Sequence, residues 1–268
     1  MWQNSKNGEL VTNIHSFYRK SSVIEHYLST NKKGMQRKHK FSTNVKMSDL
    51  IISDHSLLLV ISRFGIPLGF GDKTISEVCQ SAGIHCNTFL AVVNFISEDN
   101  FEIENDTDDI SIETVIDYLK SAHNYFLNFK LPSIRVKLLE AVNQPNQNLP
   151  YGLIFTKFFD EYVLEVQKHM QYENDIVFKY ALKLVEGKRD AKYSISIFQH
   201  RHNEIDSKLE ELKNIIIKYY PDNGSNHLLT DVLFDILSCE VDIASHNKVE
   251  DYLFAPAIEA IEKKLATR

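Results

Sequence analysis

From Ser111 to the C-terminus the chain repeats apolar residues at helical spacing, broken only by short runs rich in Asn, Pro and Gly. Apolar positions recurring three and four apart define one buried face of an amphipathic helix. The spacing predicts helix A over 111–142, helix B over 152–185, helix C over 192–220 and helix D from 226 onward. Residues 143–150 form the first break, Gly187 the second, and Pro221 to Gly224 the third. Proline lacks the N–H that a helix needs, so Pro132 predicts a kink in helix A and Pro256 a bend in helix D. Four long helices with short connections favour an antiparallel up-down bundle. The expected fold class is all-α.

Upstream, residues 43–97 read as a small helical domain. Ser48 or Ser53 is expected to cap a helix carrying Leu57, Leu58, Val60 and Ile61. A Gly-rich turn from Phe64 to Gly71 follows. Two short helices come next, one with Ile75 and Val78, the other with Phe89, Leu90, Val93 and Ile96, divided at Gly83. Residues 98–110 are acidic and polar, which marks a linker to the bundle at 111–268. Residues 1–42 read as a basic, poorly ordered extension, and Met35 offers an alternative start.

Charge and composition exclude several classes. The first 41 residues carry eight Lys/Arg against two Glu, so the rest of a chain of net charge −6 is strongly acidic. An acidic body argues against general nucleic-acid binding. No run of roughly 18 apolar residues is present, so no membrane span is expected. The three cysteines are scattered, and no export signal is visible, so a reducing cytoplasm is the expected compartment.

Two segments share one chemical pattern. Helix B carries His169-x-x-x-Glu173 and helix D carries His246-x-x-x-Glu250. Residues four apart stack on one helix face. Apolar neighbours frame each pair, so both faces are expected to point inward. A carboxylate and an imidazole in a bundle core are costly unless something pairs them, and a divalent or trivalent metal would do so. Helix A adds His123 and helix C adds His202. Counted from the connecting loops at about 1.5 Å per residue, all six positions share one height within roughly one to two turns. Asn124 and His200 are the neighbours that could exchange roles with His123 and His202. Two metals could each take two imidazoles and share both carboxylates and a solvent-derived oxygen. The donor types suit iron, manganese or zinc.

Residues 112–264 resemble the hemerythrin-like HHE cation-binding domain. The resemblance rests on Ser121-Ala-His123-Asn-Tyr-Phe with Leu131-Pro132, on His169-x-x-x-Glu173 with Val177-Phe178, on His200-Arg-His202, and on His246-x-x-x-Glu250 with Leu253-Phe254-x-Pro256. It implies metal ligands at His123, His169, Glu173, His202, His246 and Glu250. It implies two iron ions, or manganese, bridged by the carboxylates and an oxo or hydroxo group. Many relatives have a His pair on the first helix, where this chain has His123-Asn124. The N-terminal unit is similar to the small domain of the repair-of-iron-centres proteins, through Arg63-Phe64-Gly65-Ile66 and Gly71-Asp72-Lys73-Thr74-Ile75. The cysteine pair usual in that family is replaced by Gly69-Phe70.

These likenesses imply a protein that handles iron, nitric oxide, dioxygen or reactive oxygen under stress, with iron–sulfur proteins as candidate partners. The alternative is a di-iron sensor acting through residues 43–97. Residues 74–89 have a helix-turn-helix rhythm, yet His85 to Ile96 carry no Lys or Arg, and phosphate contacts normally dominate nucleic-acid affinity. A dimerisation or docking role for 43–97 is the expectation. Tyr125, Tyr172, Tyr252 and Glu204 are candidates for tuning the centre.

Overall fold

The computed structural model describes residues 41–97, 109–143, 149–188, 193–198, 203–219 and 227–267. Among them every extended element is helical, and the only β feature is an isolated bridge between Lys46 and Thr74.

Four short helices come first: α1 (Met47–Ser53), α2 (Leu57–Arg63), α3 (Ile75–Ala82) and α4 (Cys86–Ser97). Ser53 ends α1, its hydroxyl donating to the Leu50 carbonyl. The start of α2 is organised instead by Asp54, whose carboxylate accepts from the Ser56 N–H at 3.0 Å and hydroxyl at 2.6 Å. Neither Ser48 nor Ser53 serves as the cap the sequence suggested. Thr74 does cap α3, in a reciprocal box with Glu77. Gly83 ends that helix at φ 68°, a left-handed conformation that glycine adopts without steric cost.

The first bundle helix comprises α5 (Ile112–Tyr125), a π turn (Phe126–Lys130) and α6 (Leu131–Val142). The second comprises α7 (Leu149–Tyr172), a π turn (Glu173–Val177) and α8 (Phe178–Val185). The third is α9 (Asn203–Tyr219), and the fourth comprises α10 (His227–Val249), a π turn (Glu250–Phe254) and α11 (Ala255–Ala266). Each helix packs on the next and the fourth returns to the first, which is the closed square of an up-down bundle. Gly152 lets the first two helices approach closely: a Cβ there would lie 3.0 Å from that of Val142.

Two expected boundaries move. The third helix does not extend back to 192, because Ser194 is extended and Ile195–Ile197 form a 3-10 turn. The Glu262 carboxylate accepts the Ile195 N–H at 2.9 Å and holds this stretch against α11. The expected kinks at Pro132 and Pro256 lie just beyond π turns. Leu131 N–H reaches back to the Phe126 carbonyl, and Ala255 N–H to that of Glu250, so the ladder lengthens by one residue before each proline.

The apolar core divides in two. One cluster joins α1–α4 to Val115, Leu119, Val177, Phe178, Val249, Phe254 and their neighbours. The other fills the far half of the bundle, with Phe126, Leu138, Phe159, Met170, Leu212, Ile236 and Ile243. Residues 41–268 form one compact unit. Between the two clusters lies a polar layer.

Candidate metal centre

The layer is built from three helices at the points where each widens. His123 lies one turn before the first π turn, and Glu173 and Glu250 are the first residues of the other two. His169 and His246 precede their glutamates by four, so each pair shares a face. His123, Glu173, His246 and Glu250 are buried, the two glutamates at 0 % exposure. Each offers one donor atom, and those atoms lie within 4.8 Å of one another.

The distances define an ordered arrangement. His123 Nε2 lies 3.1 Å from His246 Nε2 and 3.2 Å from Glu173 Oε2. His246 Nε2 lies 3.3 Å from Glu250 Oε1, which is 3.9 Å from His123 Nε2. The other oxygen of Glu173, Oε1, lies 2.8 Å from His169 Nε2. The Glu173 carboxylate therefore stands between two imidazole groups, one on each oxygen.

Aromatic side chains wall the layer. The Phe178 ring stacks on His123 with centroids 5.5 Å apart, Phe126 meets His246 edge-on at 5.9 Å, and Phe254 packs on Phe178. Below His246 on the same face, Asp242 binds Arg63 of α2 through an ion pair of 2.6 Å. The Arg63 guanidinium lies over the Phe126 ring at 5.0 Å.

The electrostatics favour a cation. Burial pushes the His123 imidazole down, yet the Glu173 and Glu250 carboxylates outweigh it and hold it above the ordinary histidine value. For His246 burial prevails over Glu250, and its value lies below the ordinary one. Two Nε2 atoms at 3.1 Å have room for one proton between them. Two carboxyl groups facing two imidazoles in a dry layer are costly in a low-dielectric interior unless protons or a cation pair them. The imidazole and carboxylate donor set fits a divalent or trivalent metal and offers no thiolate.

Of the six expected ligands, His123, Glu173, His246 and Glu250 converge, and His169 joins them through Glu173. His202, like its neighbour His200, lies outside the described residues. On helix A, His123 faces inward, whereas Asn124 is exposed and accepts from Asn128. Tyr252 is exposed against Phe95, Tyr125 packs on Phe126, and the Tyr172 hydroxyl meets that of Tyr193 at 3.0 Å. Sequence reasoning missed Asn174, Arg63 and Asp242. The last two are 179 residues apart, and no local pattern joins them.

Bundle and buried layer together define a helical metal-binding protein. Residues 114–258 match the family model of the hemerythrin HHE cation-binding domain, just over half of the chain, and the chain belongs to that family. A search of curated proteins finds no match to it. Among the described residues no helix is long and apolar enough to cross a membrane.

Proposed function

We propose that this protein holds two iron ions and handles iron, nitric oxide or reactive oxygen in a stress response. One observation carries the reading: Glu173 presents one oxygen to His169 and the other to His123. A carboxylate flanked on both sides by imidazoles is the donor arrangement of a bridged two-metal centre in a helix bundle. In this assignment His123, His169, Glu173, His246 and Glu250 would hold the ions, with His202 as the sixth expected ligand. The iron pair would supply one-electron steps and an open position for a small diatomic ligand.

The protein's own residues set the conditions. The helices fix the donors at one height, so binding needs little reorganisation. Phe178, Phe126 and Phe254 keep bulk water from the imidazoles. A proton held between the two imidazoles would leave when a cation enters, so metal uptake would be coupled to proton release. Manganese satisfies the same donors. The iron–sulfur partnership follows from the likeness of Arg63-Phe64-Gly65-Ile66 to the iron-centre-repair proteins, and a cytoplasmic setting from the three scattered cysteines.

The test is iron content and optical spectra after anaerobic loading. The expected result is about two iron ions per chain, lost in Glu173→Ala and Glu250→Ala. Unchanged stoichiometry in both variants refutes the ligand assignment. A second reading, a sensor acting through residues 43–97, draws on the Arg63–Asp242 ion pair, which ties α2 to the ligand-bearing helix. Recovery of a damaged iron–sulfur enzyme, assayed beside a DNA-shift experiment, separates the two.

A further inference from the structure

We infer that Asn174 is the positioning residue of His123, fixing its proton on Nδ1 so that Nε2 is free to face the metal. This rests on the metal reading above. Asn174 Oδ1 lies 3.1 Å from His123 Nδ1, on the opposite side of the ring from Glu173, Glu250 and His246. A neutral imidazole donates through one nitrogen and accepts through the other. An amide oxygen at Nδ1 makes that nitrogen the donor, and Nε2 then carries the lone pair.

The π turn explains how one helix supplies both groups. Its i→i+5 ladder spreads a turn over more residues, so consecutive side chains diverge less around the axis. Glu173 and Asn174, the first two residues of the turn, can thus address the same imidazole: Glu173 at Nε2 and Asn174 at Nδ1. In the fourth helix Asp251 holds the corresponding place after Glu250 and also keeps an oxygen, Oδ1, out of solvent. The position after each buried glutamate thus carries a side-chain oxygen, amide in one turn and carboxylate in the other.

The partner of a ligand imidazole fixes its tautomer and raises its basicity, and losing it typically costs about 10–100-fold in metal affinity. Two measurements on the full chain test the role. In the metal-free protein at alkaline pH, long-range 1H–15N spectra should show His123 protonated at Nδ1, and Asn174→Leu should shift it toward the Nε2 form. Zinc and cobalt(II) titrations against a chromophoric chelator should show Asn174→Leu weaker by about 10–100-fold and Asn174→Asp equal to wild type or tighter.

An unchanged His123 tautomer in Asn174→Leu overturns the inference, whatever the metal titration gives. If the Leu variant does not fold, Asn174→Asp decides: a 10-fold weaker affinity there overturns it too. Wild type that takes up no metal, with the Nδ1 tautomer present, sinks the metal centre and leaves the positioning contact standing.

Discussion

Removing the carboxylate of Asp242 should be among the most damaging single changes in the protein. Asp242 accepts from Arg63 at 2.6 Å, and the two side chains are 14 % and 4 % exposed. Burial acts to lower the Arg63 value, but Tyr118 and Asp242 outweigh it, so the guanidinium stays charged. Asp242→Leu strands that charge among Phe126, Tyr125 and Tyr118. Breaking a buried pair by removing one partner costs about 3–5 kcal/mol. At about 2–4 °C per kcal/mol for a chain of this size, Tm should fall by roughly 6–20 °C. The assay is thermal and urea unfolding of the metal-free protein in a double-mutant cycle with Arg63→Met. The double variant removes both charges and should recover most of the loss, since apolar replacement of a buried pair is often neutral or stabilising. A loss under about 1 kcal/mol in Asp242→Leu, the range of a surface ion pair, would refute the reasoning. So would a double variant no better than the single one.

Cysteine reactivity should sort by burial. Burial pushes the thiols of Cys79 and Cys239 up to about 12, and both are covered, whereas Cys86 is half-buried. Brief alkylation at pH 8 followed by peptide mass spectrometry should label Cys86 first, and early labelling of Cys239 would contradict the structure. Asp235 gives a pH signature. Burial raises its carboxyl, but Lys130 and Lys137 outweigh that and hold it below the ordinary 3.8. Its folded value is depressed, so its contribution is present above pH 3.8 and lost as the pH falls through the folded value. The stability gap between wild type and Asp235→Asn should therefore close on acidification below that pH; a constant gap in pH-dependent urea unfolding would count against the ion pairs. Glu262 accepts from the Tyr180 hydroxyl, the Ser194 hydroxyl and the Ile195 N–H. Glu262→Ala should cost about 1–3 kcal/mol, with faster amide exchange at Ile195; unchanged exchange there would show that the carboxylate does not hold the turn.

Much of the fold was legible because helical periodicity is a local property. The apolar repeat marked four bundle helices, and Gly83 and Gly187 marked the ends of α3 and α8. The layer was legible for the same reason: His and Glu four apart share a face whatever the helix packs against. The π turns were half written. Leu131-Pro132 and Ala255-Pro256 flag two of them, but the third is followed by Phe178-Lys179 and carries no such mark. The start of the third helix was misread because Glu262, 67 residues on, competes for the Ile195 N–H. Arg63–Asp242 and His123–Asn174 arise only when distant segments meet, so no spacing rule exposes them.

The split core has a consequence for how the molecule comes apart. Apolar contact transmits cooperativity between neighbouring turns, and here a layer of imidazole and carboxylate interrupts it. Without a cation the layer is the weakest seam of one compact unit, where local opening and amide exchange should begin. A bound ion acts as a rivet through that seam, adding stability that grows with the logarithm of free metal. Metal would thus tighten the middle of the bundle more than its ends.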